Sequence, residues 1–196
     1  MDLWKISLVI LLLLLLINLT ADEKEIYHKL LEFYDNIVTY QADFVQTNYW
    51  SEPDISQTSR GKIFYDKSSL LLKYSQPEGQ YLLADSSRVI IYDRSKKQAF
   101  VSPSDSLSIK PIKLIKKYWE KGNKKKVTDK EIIIQSKNET VTIKLANWLV
   151  YEMQLIDSDD NRVKYQFKHE QLNKSLPKDI FFLDLPSDVN IIDSRN

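Results

Sequence analysis

The stretch Tyr40–Trp50, YQADFVQTNYW, alternates along its length. Tyr40, Ala42, Phe44 and Trp50 fall on one side and Gln41, Asp43, Thr47 and Tyr49 on the other, while Val45 breaks the pattern. A period of two with one apolar side marks a half-buried strand. Such a face is either filled by the protein's own side chains or kept for another molecule. Periodicity alone favours the filled core, because most alternating strands simply build one.

Upstream, residues 22–38 read as an amphipathic helix. Ile26, Leu30, Tyr34, Ile37 and Val38 form its apolar stripe, and acidic residues cluster near its N-terminus, where the helix dipole favours them. Downstream, the period of two persists. Segments near 40–50, 57–66, 70–75, 80–85, 88–93 and 98–101 are strand-like, and a second run follows near 130–136, 140–145, 148–156 and 162–170. With three glycines in the chain, the turns between them are built mainly from Asn, Asp and Ser. Between the two runs, Pro111 can open a short helix and Gly122 can end it, with Ile112, Ile115 and Trp119 at helical spacing. The expected fold is mainly β: a single antiparallel meandering sheet, open or closed, with an N-terminal helix and a short helix packed across it.

A length of 196 residues, 43% of them hydrophobic and 28% charged, suits one domain. A net charge of +1 gives no reason to expect nucleic acid as a partner. The absence of cysteine excludes disulfides, thiolate nucleophiles and Cys-ligated metal sites, as well as the acylated cysteine of a lipoprotein anchor. Residues 1–21 carry Lys5, an apolar run from Ile6 to Ile17 and Ala21 before an acidic stretch, the layout of a secretory signal. The run is short for a membrane span, which needs about 20 apolar residues. The expectation is an exported, soluble domain over 22–196, with an uncleaved anchor as the alternative.

Catalytic constellations are missing. His28 and His169 are the only histidines and read as surface residues, and neither a Gly-rich phosphate loop nor a nucleophile elbow occurs. Asp157–Asn161 opens like a calcium loop, but Arg162 and Lys168 stand where that loop needs its glycine and its bidentate glutamate. Asn138 and Asn173 head glycosylation-type triplets, a pattern common by chance. The basic segment ending in Lys124, Lys125 and Lys126 reads either as a solvated helix face and loop or as a docking patch for an acidic protein or anionic membrane.

The opening strand also carries a likeness. Ala42-Asp-Phe44-Val-Gln46-Thr47 resembles the A-x-F-x-Q-T strand of the LolA family, periplasmic carriers of outer-membrane lipoproteins. Ser59–Phe64, Leu72–Pro77, Leu83–Asp93 and Phe181–Ile191 resemble further family motifs in the same order. Ser86 and Asp188 replace two of the family's glycines and Leu72 its usual tryptophan; Lys67 stands nearest to its lid arginine.

That resemblance implies a sheet curved into an incomplete barrel, with an apolar face that helices cover when it is empty. A buried methylene is worth ~0.8 kcal/mol, so an acyl chain of about 16 carbons holds to a membrane by roughly 12 kcal/mol and needs a carrier to cross water. The residues it implies for acyl chains are Ala42, Phe44, Phe64, Leu70, Leu72, Tyr74, Leu83, Ile90 and Tyr92, under a lid of Ile112, Ile115 and Trp119 with Lys67. It implies a monomer without catalysis or cofactor, which receives lipoprotein cargo from an inner-membrane ABC transporter and passes it to an outer-membrane receptor. An envelope sensor or interaction module, or a carrier of free lipid, are the alternatives on the same fold.

Overall fold

The computed structural model describes residues 22–104 and 111–195. Helix α1 spans residues 22–35. Six strands follow: β1 (Thr39–Trp50), β2 (Ile55–Asp66), β3 (Leu70–Gln76), β4 (Glu78–Ala84), β5 (Arg88–Asp93) and β6 (Gln98–Pro103). Helix α2 (Pro111–Lys121) leads into β7 (Asn123–Val127), β8 (Glu131–Gln135), β9 (Glu139–Ala146), β10 (Leu149–Asp157) and β11 (Arg162–Leu172), and β12 (Asn190–Asp193) comes last. All twelve strands form one sheet in the order β12-β6-β5-β4-β3-β2-β1-β11-β10-β9-β8-β7. Two meanders therefore run outward from a central β1–β11 pair, and the sheet stays open, with β12 and β7 as its edges. Every pairing is antiparallel except that of β12, which lies parallel to β6.

The turns carry the chemistry expected of a glycine-poor chain, in a repeated form. The Asp66 carboxylate accepts hydrogen bonds from Ser68 N (2.8 Å), Ser68 Oγ (2.8 Å) and Ser69 N (2.6 Å). Asp85 takes Ser87 N, Ser87 Oγ and Arg88 N in the same way, and Asp93 takes Ser95 N and Ser95 Oγ. An Asp-x-Ser step thus closes the β2–β3, β4–β5 and β5–β6 hairpins, the side chain satisfying the turn's own N–H groups. Asp157 does likewise, accepting from Asp159 N and from Asn161 N and Nδ2, so its oxygens serve the turn. Among the described residues no group of three His, Asp or Glu side chains is placed to hold a metal ion.

Three elements differ from the expectation. Helix α1 stops at residue 35, leaving Ile37 buried but Val38 51% exposed, because the Val38 N–H donates to Asn173 Oδ1 (2.7 Å) rather than continuing the helix. Trp50, expected on the apolar side of β1, is exposed at the strand's end. The lysine-rich segment after α2 is neither helix nor loop but the edge strand β7. It covers the backbone of β8, whose Ile132 and Ile134 are fully buried, and its lysines discourage further pairing at that edge.

Glycine marks two close approaches. A Cβ on Gly61 would lie 2.2 Å from the Lys73 carbonyl and 2.9 Å from the Phe44 ring, and one on Gly122 would lie 2.2 Å from Ile134 Cγ2. Gly122 therefore ends α2 by letting the helix sit hard against β8.

Candidate functional site

The sheet has two apolar faces, assigned by register. On the first, Ala42 pairs with Ile63, Ile63 with Leu72, Leu72 with Leu82, Leu82 with Ile91, Ile91 with Phe100, and Phe100 with Ile192. This row crosses seven adjacent strands without a polar residue. Neighbouring strands lie ~4.8 Å apart, so the row is roughly 29 Å long. Ala42, Ile63 and Leu72 are buried, Leu82 is half-buried, and Ile91, Phe100 and Ile192 are 43%, 46% and 40% exposed. The covered end and the open end belong to one continuous surface.

Next to the covered end, Phe44, Leu70 and the half-buried Tyr74, Tyr165 and Phe167 extend the same face. Phe44 and Tyr74 meet edge to face at 5.1 Å, while Tyr165 and Phe167 stack. Further on, over β8 to β10, the face is filled. Leu30 of α1 and Ile115 and Tyr118 of α2 pack on Ile132, Ile134, Val141, Ile143, Leu145 and Val150 as a dry core. The two helices clasp each other: the Tyr27 and Trp119 rings stack at 4.3 Å and 8°. Tyr34 Oη accepts a hydrogen bond from Val150 N (3.1 Å), fixing α1 to β10.

The buried tyrosine hydroxyls beside this row are neutral. Burial raises the Tyr40, Tyr74 and Tyr165 hydroxyls above the usual phenol range, so all three stay protonated at physiological pH. Tyr74 Oη donates to Gln46 Oε1 (2.9 Å), which in turn orients Gln46 Nε2 toward Asn48. An apolar surface edged by neutral hydroxyls can adsorb hydrocarbon.

The nine residues expected to line an acyl site do not share one face. Ala42, Phe44, Leu70, Leu72 and Tyr74 lie on the helix side. Phe64, Leu83 and Ile90 lie on the reverse with Leu71 and Val101, beneath Leu176, Ile180, Phe181 and Leu183 of the segment that follows β11. Tyr92 is also there, stacked on Tyr81 at 6.0 Å. Strand alternation requires this split, since Phe64 follows Ile63 directly. The residues that sequence reasoning missed, Ile63, Leu82, Ile91, Phe100 and Ile192, become visible only once register joins the strands.

Of the residues expected to form a lid, Ile115 is buried in the core and Trp119 half-buried, whereas the Ile112 side chain lies outside the described residues. Lys67 is exposed in the β2–β3 turn, whose geometry is set by Asp66. In the lysine patch, Lys124 Nζ donates to the Trp119 carbonyl (3.2 Å) and sits 4.8 Å over its ring, and Lys126 pairs with Glu131 (2.5 Å). Lys125 projects into solvent.

Residues 35–184 match the model of a family described as outer membrane lipoprotein carrier protein LolA. The chain belongs to the LolA family. It is 24% identical over 186 residues to an outer-membrane lipoprotein carrier protein of Pseudomonas entomophila (strain L48), covering 88% of this chain and 89% of that protein. The corresponding protein of Pseudomonas putida (strain GB-1) is 22% identical over the same span.

The fold is shared with an uncharacterized conserved protein from Thermus thermophilus, with a TM-score of 0.55 at 10% identity, covering 85% of this chain and 98% of that one. A putative outer membrane lipoprotein-sorting protein domain from Vibrio parahaemolyticus gives a TM-score of 0.50 at 10% identity, covering 81% and 95%. The segment read as an export signal lies outside the described residues.

Proposed function

We propose that this protein carries lipoproteins through the periplasm, holding their acyl chains on the helix-side face of the open sheet. The observation that carries the reading is the unbroken apolar row from Ala42 to Ile192, closed at one end and exposed at the other. Exposed apolar patches on a soluble protein mark sites of interaction. Acyl chains enter at Ile91, Phe100 and Ile192 and advance toward Leu72, Ala42 and Phe44. Moving α1 and α2 aside, by opening the Tyr27–Trp119 stack, would add the surface over β8 to β10. The cargo comes from an inner-membrane ABC transporter and leaves to an outer-membrane receptor, with no chemical step.

The test is release of a radiolabelled lipoprotein from spheroplasts on adding the exported domain. Soluble cargo in complex with the protein is expected, and Phe100→Asp, at an exposed position, should cut release severely without unfolding the chain. If the native protein releases no lipoprotein, the carrier reading fails. If it binds only free lipid, the cargo is wrong.

A further inference from the structure

The reverse face carries a second row, of opposite character. Lys168 pairs with Asp43, Asp43 with Lys62, Lys62 with Lys73, and Lys73 with Tyr81. One register step away, Arg60 pairs with Val45, the residue out of phase in the opening strand. These side chains line a groove of about 770 Å³, walled by Ile180 of the segment after β11 and by Arg94, Glu78 and Gly79 at the turns.

The charge balance in this groove is uneven. Asp43 is already satisfied: it accepts from Lys62 Nζ (2.8 Å) and pairs with His169 Nδ1 (2.8 Å). Among the described residues, Arg60, Lys73, Arg94 and Lys168 form no ion pair, and Glu78 is the only other carboxylate on the wall. Lys62 and Lys73 stand directly opposite each other on adjacent strands, an arrangement of like charges that costs stability. Lys73 Nζ lies 5.9 Å over the ring of the half-buried Tyr81, which continues the cationic floor and rests on the buried Tyr92.

We infer that this groove is a docking site for an acidic, extended segment of a partner protein. Its recessed shape favours a peptide over a bilayer: a strand or loop can enter the groove, whereas a membrane surface meets only what projects. Cations on neighbouring strands, with Arg60 one step along β2, suit carboxylates that alternate along an extended chain. Val45, Phe64 and Ile180 supply apolar contact for the residues between them. The site lies on the face opposite the apolar row, so a partner docked here leaves that row free. Charge complementarity of this kind sets encounter rate and orientation.

The probe is a fluorescent ten-residue peptide of alternating glutamate and serine, titrated into the purified protein at low salt and again at about 0.15 M salt, where charges are screened beyond ~8 Å. Saturable binding that weakens with salt is expected. Lys73→Glu and Arg60→Glu should each weaken it at least about tenfold. Lys73→Glu should leave the unfolding midpoint unchanged or raised, because it turns a like-charge pair into an opposite one. Lys125→Glu, on the far edge strand, should bind like the native protein.

Equal weakening by Lys125→Glu, or binding indifferent to Lys73→Glu and Arg60→Glu, would overturn the inference. So would binding of phosphatidylglycerol vesicles through Lys73 and Arg60 with none of the peptide.

Discussion

Truncating Tyr27 tests how the two helices are held over the sheet. The Tyr27 and Trp119 rings lie 4.3 Å apart and nearly parallel, joining α1 to α2, and Lys124 Nζ sits 4.8 Å over Trp119. An aromatic pair contributes about 0.5–1.5 kcal/mol beyond its area burial. At about 1.4 kcal/mol per tenfold, Tyr27→Ala should shift local opening of α2 by roughly two- to twelvefold before lost packing is counted. Amide hydrogen exchange reads this directly: α2 amides should exchange faster by that factor or more, while those of β1 to β4 keep their protection. A double-mutant cycle with Trp119→Ala in urea unfolding should return a coupling of about 0.5–1.5 kcal/mol. Unchanged α2 exchange, or a coupling of zero, would refute the idea that this stack is the clasp. The cycle separates the stack from general destabilisation because each single variant also loses its other contacts.

Four further outcomes follow from the geometry. Lys124→Met should cost about 1 kcal/mol in urea unfolding, since it removes a cation over Trp119 and a donor to the last turn of α2, whereas the exposed Lys125→Met should fall within about 0.5 kcal/mol of native. Asp85→Ala should cost about 1–2 kcal/mol, measured the same way, through loss of the bonds from Ser87 and Arg88. Burial raises the Asp85 pKa, but those bonds outweigh it and leave the carboxyl below the usual range; the Ser95 hydroxyl, acting first, lowers Asp93, and Arg195 holds Asp193 down at about 2. A carboxylate with a depressed folded pKa contributes stability that is present above its unfolded value and lost as pH falls through the folded one. The urea midpoint should therefore drop from about pH 4 downward, and less steeply in Asp85→Ala. Asn173 sits at φ 55°, caps Val38 N with its side chain and donates its own N–H to the Thr39 carbonyl. Asn173→Gly should cost about 1 kcal/mol for the lost cap, and Asn173→Ala about 1–2 kcal/mol more for the left-handed backbone, both by thermal or urea unfolding.

Much was legible in the local pattern. The alternation of Tyr40–Phe44, the helical stripe of Ile26 and Leu30, Pro111 at the start of α2 and Gly122 at its end all report backbone preference and burial over a few residues. The Asp-rich turns were legible too, because a carboxylate that can satisfy its own loop's N–H groups needs no distant partner. Order along the chain also sufficed for the family likeness, since its motifs are local strings.

What only the tertiary structure decided is which face each side chain joins and what covers it. Ile63-Phe64-Tyr65 and Leu70-Leu71-Leu72 are apolar on both sides, since Ile63, Tyr65, Leu70 and Leu72 pack around Phe44 on one face while Phe64 and Leu71 lie beneath the segment after β11 on the other. In such strands composition cannot tell one side from the other. The choice rests on pairing across long separations: β1 on β11, β12 on β6, and a polar strand, β7, recruited to close the edge of a buried one. Those pairings are settled by global packing free energy, which no short window of residues contains.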